Sequence, residues 1–233
     1  MKIKGFLKTS FLDWDGMVVS VVFLPGCNLK CRFCHNWVLV EGAENVPDVQ
    51  EAHVLSYLEE NRDFLDGVCI TGGEPCLHER DVLEFAGKVK QIGLKVKLDT
   101  NGTIPDVLSR LIDAGILDYI AMDVKTELDA GKYSEITGVD VNLDILCQSI
   151  ELIKNFKNYE FRTTYIPEYH NEECIQKILS ALRHPKRYVL QRFVPENAFS
   201  ETLRKSKSVS REELEKIAKN LSGLAETISV RGV

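Results

Sequence analysis

Three cysteines, Cys27, Cys31 and Cys34, stand in a C-x3-C-x2-C spacing within the stretch PGCNLKCRFCHNW, residues 25–37. Cysteine is ordinarily a scarce, buried residue that behaves as a small hydrophobe. Here its neighbours include Gly26, Asn28, Lys30 and Arg32, polar company that packing does not explain. Thiolates crowded in this way hold soft metals: zinc, copper(I) or iron-sulfur clusters. A structural zinc site takes four closed ligands, usually as two separated pairs, whereas this loop offers three cysteines. A four-iron cluster on three cysteines keeps one iron free of protein ligands, the open position that chemistry requires. His35 adjoins Cys34, so using it to close the same tetrahedron would strain the loop.

Further along the chain are other groups of the kind that hold a ligand. Thr71-Gly72-Gly73-Glu74-Pro75 joins two glycines, which let backbone approach a ligand closely, to a carboxylate that can accept from a cationic group. Asp99-Thr100-Asn101-Gly102 ends the predicted strand at 95–99, and its residue types also suit a plain turn. Asp123 and Lys125 are two apart, so on an extended chain their side chains share one side; a solvated ion pair reads the same way. Arg162 interrupts FRTTYIP. A guanidinium suits bidentate recognition of a carboxylate, and an edge-facing arginine is the bland alternative.

With Phe33 in the aromatic position of C-x3-C-x-aromatic-C, the chain resembles the radical S-adenosylmethionine (radical SAM) superfamily. The resemblance implies a 4Fe-4S cluster on Cys27, Cys31 and Cys34, with SAM chelating the open iron and being cleaved reductively to methionine and a 5′-deoxyadenosyl radical. The radical chemistry then belongs to the cofactors, which the protein binds and aims. By the same likeness Gly72, Gly73 and Glu74 form a GGE motif for the SAM amino group. Asp99 and Asn101 contact SAM or a monovalent cation, and Arg162 meets the SAM carboxylate. Cys34-His35-Asn36, the DTNG sequence at 99–102 and the D-x-K motif at Asp123 and Lys125 resemble more narrowly the glycyl-radical-enzyme activating proteins, in particular the activators of anaerobic ribonucleotide reductase.

That narrower likeness implies cofactor contacts at Phe33, His35 and Asn36, and a catalytic pair, Asp123 and Lys125, near the methionine carboxylate and the substrate peptide. The implied partners are a glycyl radical enzyme and an electron donor such as flavodoxin or ferredoxin. The chain departs from the larger activators: residues 41–65 carry no cysteine-rich insertion, and a late histidine of the pyruvate formate-lyase activators has no counterpart. Two alternatives stand beside this reading. One is a radical SAM enzyme acting on a small molecule such as a deazapurine precursor, a group that tends to carry Ser or Thr where His35 stands. The other is a non-catalytic zinc-binding interaction protein.

The elements that must position these residues alternate. An apolar, β-branched run at 17–24 and strand-like stretches at 67–71, 95–99, 119–124, 160–166 and 187–194 predict six strands. Amphipathic stretches at 49–64, 79–92, 105–114, 142–156, 172–182 and 210–221 predict helices, and residues 2–14 a hairpin arm. Alternation of this kind means a mainly parallel sheet in an α/β fold, and the resemblance implies a partial (β/α)6 barrel. In either open sheets or barrels, function gathers where strands end, and the marked residues fall there. Residues 1–233 read as a single radical SAM domain, its core at about 17–194 and a helical C-terminal extension at about 195–233. A net charge of −6 and a pI near 5.5 argue against a general nucleic-acid binder. No apolar run reaches a membrane span, and seven scattered or clustered cysteines suit a reducing cytoplasm better than a disulfide framework.

Overall fold

The computed structural model describes residues 1–232; Val233 lies outside the described residues. Strands β1 (Gly5–Ser10), β2 (Val19–Leu24), β3 (Gly67–Gly72), β4 (Lys95–Thr100), β5 (Tyr119–Asp123), β6 (Tyr159–Tyr165), β7 (Arg187–Arg192) and β8 (Thr227–Arg231) form one sheet in sequence order. β1 is antiparallel to β2 and every later pairing is parallel. Helices α1 (Trp37–Glu41), α2 (Glu51–Glu60), α3 (Glu79–Ile92), α4 (Pro105–Asp113), α5 (Ala130–Thr137), α6 (Leu143–Lys154), α7 (Glu172–Leu182) and α8 (Arg211–Asn220) fill the connections. β2 to β7 are the expected (β/α)6 unit.

Alternation along the strands assigns their two faces. Ile70, Val96, Leu98, Ile120, Met122, Phe161, Tyr188 and Leu190 are buried with Val54, Leu58, Phe85, Val89, Leu108, Leu111, Ile150 and Ile178 of the helices in the main core. Their neighbours in sequence, Lys97, Asp99, Asp123, Glu160, Arg162 and Gln191, are charged or polar and face the concave side. The concave side is therefore built for chemistry at its rim and must be sealed at its base. The β1–β2 turn seals it: Trp14 is buried against Val19, Val21 and Cys69, and the Asp13 carbonyl accepts from Lys97 Nζ at 2.7 Å. Asp15 reaches the far end of the sheet, pairing with Arg187 and, at 3.1 Å, with Arg231.

Three expectations need correction. The C-terminal extension is not only helical, because Thr227–Arg231, a strand with no fully buried residue, pair in parallel with β7. The helix expected over 49–64 spans Glu51–Glu60. Asn61 closes it, both its backbone and side-chain N–H groups donating to Tyr57 O. The connection after β5 holds α5, which starts on an Asp129 cap and stops at Gly138 in the left-handed region (φ 70°); Gly131 and Gly138 hide it from a propensity reading. No helix among the described residues is long and apolar enough to cross a membrane.

Candidate functional site

The cysteine loop leaves the C-terminal end of β2 and is held from three sides. Lys30 and Arg32 N–H donate to the carbonyls of Thr137 and Ile136 at the end of α5 (2.8 and 3.2 Å), and Arg32 O accepts from Ser200 N–H at 2.8 Å. Leu29, Cys31 and Phe33, two apart, turn into a small second core with Ile136, Ile166, Phe193, Ala198 and Leu203. His35 stacks on Phe193 with ring centroids 5.8 Å apart, and Asn36 Nδ2 donates to Gly72 O at 3.1 Å. This frame brings Cys27, Cys31 and Cys34 to one wall of a cavity of about 260 Å3. Burial pushes all three thiols up, Cys31 to about 12, and the Lys125 ammonium pulls each of them back down.

The glycines of the second motif are required by close backbone packing. A Cβ on Gly73 would lie 1.7 Å from Gly26 O, and one on Gly72 (φ 123°) 2.2 Å from Leu24 N. Glu74 is 1% exposed and its carboxylate already accepts from Cys76 N–H (3.0 Å), Thr100 Oγ1 (2.8 Å) and Asn101 N–H (2.7 Å). It knits the end of β3 to the end of β4. Asn101 likewise faces the cysteines: its Oδ1 accepts from Thr103 N–H at 2.9 Å, and its Nδ2 points to Asn28 Oδ1 (3.0 Å) and Cys27 Sγ (3.7 Å).

Opposite the cysteines runs a chain of alternating charge. Lys97 Nζ lies 2.6 Å from Asp99 Oδ1, and Arg162 holds Asp99 Oδ2 at 3.0 Å through one terminal nitrogen and Asp123 through Nε. Lys125 Nζ then meets Asp123 Oδ2 at 2.9 Å and the Phe33 ring at 5.6 Å. Desolvation alone would raise the Asp123 carboxyl, but Arg162 and Lys125 more than reverse it and hold the group well below the usual range. Burial likewise disfavours charged Lys125, and Asp123 more than restores it. The cavity therefore presents fixed cations and anions, with Arg162 tied between two carboxylates.

Two residues outside every motif hold Lys125 in place. Its N–H donates to Tyr133 Oη at 3.0 Å, and its carbonyl accepts from His170 Nε2 at 2.9 Å. His170 Nδ1 accepts from Ile166 N–H at 3.0 Å, which fixes the neutral Nε2–H tautomer. Both are buried, and neither belongs to a motif with recognisable spacing.

The motif spacing, the strand-end placement and the cavity all agree with a match of residues 21–182 to the family model of the Radical SAM superfamily. The chain belongs to the radical SAM superfamily. Radical SAM proteins use an iron-sulfur cluster and SAM, and this one is an enzyme of that kind. It is 33% identical to the Methanocaldococcus jannaschii protein named "Putative glycyl-radical enzyme activating enzyme MJ1227", over 99% of this chain and 96% of that one. It is 36% identical to 7-carboxy-7-deazaguanine synthase of Methanospirillum hungatei, over 52% of this chain and 47% of that one. In fold it is similar to Streptococcus suis SuiB bound to its precursor peptide SuiA, with a TM-score of 0.70 and 16% identity, over 92% of this chain and 48% of SuiB.

Proposed function

We propose that this radical SAM enzyme activates a glycyl radical enzyme, an anaerobic ribonucleotide reductase in type, by removing hydrogen from a glycine Cα. The observation that carries the reading is the end-to-end similarity to the M. jannaschii protein, where the likeness to the deazaguanine synthase spans about half of each chain. The donor set fits a 4Fe-4S cluster on Cys27, Cys31 and Cys34. Among the described residues no three His, Cys, Asp or Glu side chains converge as ligands of a single metal ion do. A cluster instead gives each cysteine an iron of its own. Membership of the radical SAM superfamily is what speaks against the zinc-binding alternative.

When bound, the cluster and SAM supply the electron and the abstracting radical, with flavodoxin or ferredoxin as the class of reductant. The chain's own residues bind, orient and shield. Lys125 offsets thiolate charge. Glu74, Asn36 and Asn101 lock the cysteine loop to the ends of β3 and β4. The cavity, walled by Phe33, Thr71, Thr164 and Gln191, holds the reacting atoms close together, where proximity counts most. Asp123 and Lys125 at the rim present an acceptor and a donor to an extended peptide.

Anaerobically reconstituted protein is expected to hold about four irons, and Cys27→Ala, Cys31→Ala or Cys34→Ala to lose them while Cys147→Ala, an exposed thiol, keeps them. Reduced enzyme with SAM and a glycyl radical enzyme encoded beside it should give a glycine-centred doublet in electron paramagnetic resonance. Tetrahedral zinc with no capacity for iron would overturn the enzyme reading. 5′-Deoxyadenosine without a glycyl signal, together with turnover of a small substrate, would move the assignment to the deazapurine class.

A further inference from the structure

The asparagine of the DTNG sequence has an orientation that the surrounding hydrogen bonds dictate. A backbone N–H can only donate, so the Asn101 atom facing Thr103 N–H is the oxygen. The amide nitrogen then faces the cysteine loop, with one N–H directed to Asn28 Oδ1 at 3.0 Å and the other to Cys27 Sγ at 3.7 Å. Asn28 returns the link by donating to Thr103 Oγ1 at 2.6 Å, so the amide is held on three sides. Cys27 also accepts from Leu29 N–H at 3.4 Å, and Cys34 from the backbone of Asn36. Asn101 is thus the side chain that donates to one of the three thiols, and its donation can be removed without touching the backbone.

We infer that Asn101 is a positioning residue for electron transfer, its N–H to Cys27 Sγ raising the potential at which the cluster accepts an electron. This rests on the cluster ligation proposed above. The physical reason is charge. Reduction adds an electron to a cluster whose thiolates already carry negative charge, and a donor aimed at sulfur stabilises the reduced form more than the oxidised one. Because the donor comes from the end of β4, while the cysteines come from the loop after β2, the DTNG turn acts on the cluster and not only on ligands in the cavity.

The test is a redox titration of the reconstituted cluster, with mediators and dithionite, read by electron paramagnetic resonance. Asn101→Ser keeps an oxygen for Thr103 N–H but no N–H for Cys27. It should lower the reduced-to-oxidised ratio at a fixed potential about tenfold, a fall of ~59 mV for a one-electron couple. Asn101→Asp, which also lacks the N–H, should shift in the same direction. Asn28→Ala loosens the same turn while leaving the donation to Cys27, and should keep the wild-type potential. A wild-type potential in Asn101→Ser, or an equal shift in Asn28→Ala, would overturn the inference while leaving the cluster assignment intact. Loss of iron from both Asn101 variants in a folded protein would make the residue an assembly requirement and overturn it also. Absence of iron from the wild type would instead remove the functional reading itself.

Discussion

His170 should make the stability of the fold depend on pH. Both ring nitrogens are committed to backbone: Nδ1 accepts from Ile166 N–H and Nε2 donates to Lys125 O. Burial lowers its pKa from 6.5 to about 4, outweighing the Lys125 carbonyl and Glu127, which pull the other way. A native pKa below the unfolded one means that the contribution is complete above pH 6.5 and is lost as the pH falls toward 4. At pH 5 about 2 kcal/mol should have gone, from the two pKa values and linkage. His170→Gln can keep the donor to Lys125 O but leaves Ile166 N–H without an acceptor, so at pH 7.5 it should be less stable by ~1–3 kcal/mol. At pH 5 that gap should shrink by about 2 kcal/mol, because glutamine has no proton to gain and the carboxylates common to both proteins cancel. Urea unfolding at the two pH values reads this as a change of roughly 1 M in the difference between midpoints. A gap that stays constant within about 0.5 kcal/mol would refute the neutral, doubly bonded histidine.

Other outcomes follow from the same packing. Gly73→Ala places a methyl on the Gly26 carbonyl and should abolish iron incorporation after reconstitution. Gly87→Ala, inside α3 with nothing within 4 Å of the new methyl, should raise stability by ~0.5–1 kcal/mol in chemical denaturation. Changing Asp123→Asn and Lys125→Gln together removes a rim ion pair without changing net charge. It should lower glycyl radical yield about tenfold more than it lowers uncoupled 5′-deoxyadenosine formation; equal losses would show that the pair does not serve peptide transfer.

The cysteine loop, the six parallel strands and the strand-end motifs were legible because each rests on local pattern: thiol spacing, β-branched runs, glycine pairs. Lys97, Asp99 and Arg162 could be read as polar interruptions, but their joining into one charge chain depends on which strands neighbour each other. Glu74 and Arg162 show the limit most clearly. The pattern marks both as polar groups at strand ends, but their internal partners come from the fold: three donors for Glu74 and two carboxylates for Arg162. Asn101 shifts the same way, its amide turned to Cys27. Tyr133 and His170 act on the backbone of Lys125 from distant segments, and no spacing rule reports a contact of that kind. β8, with no fully buried residue, and α5, with Gly131 in its first turn, went unmarked.

The central claim is that hydrogen leaves a glycine Cα of a partner enzyme. It is tested most directly by incubating the reduced, reconstituted enzyme and SAM with a co-encoded glycyl radical enzyme labelled with α-deuterated glycine, then weighing the 5′-deoxyadenosine by mass spectrometry. Deuterium is expected in that product together with a glycyl radical signal in the partner. Product free of deuterium while SAM is consumed at the full rate would contradict it.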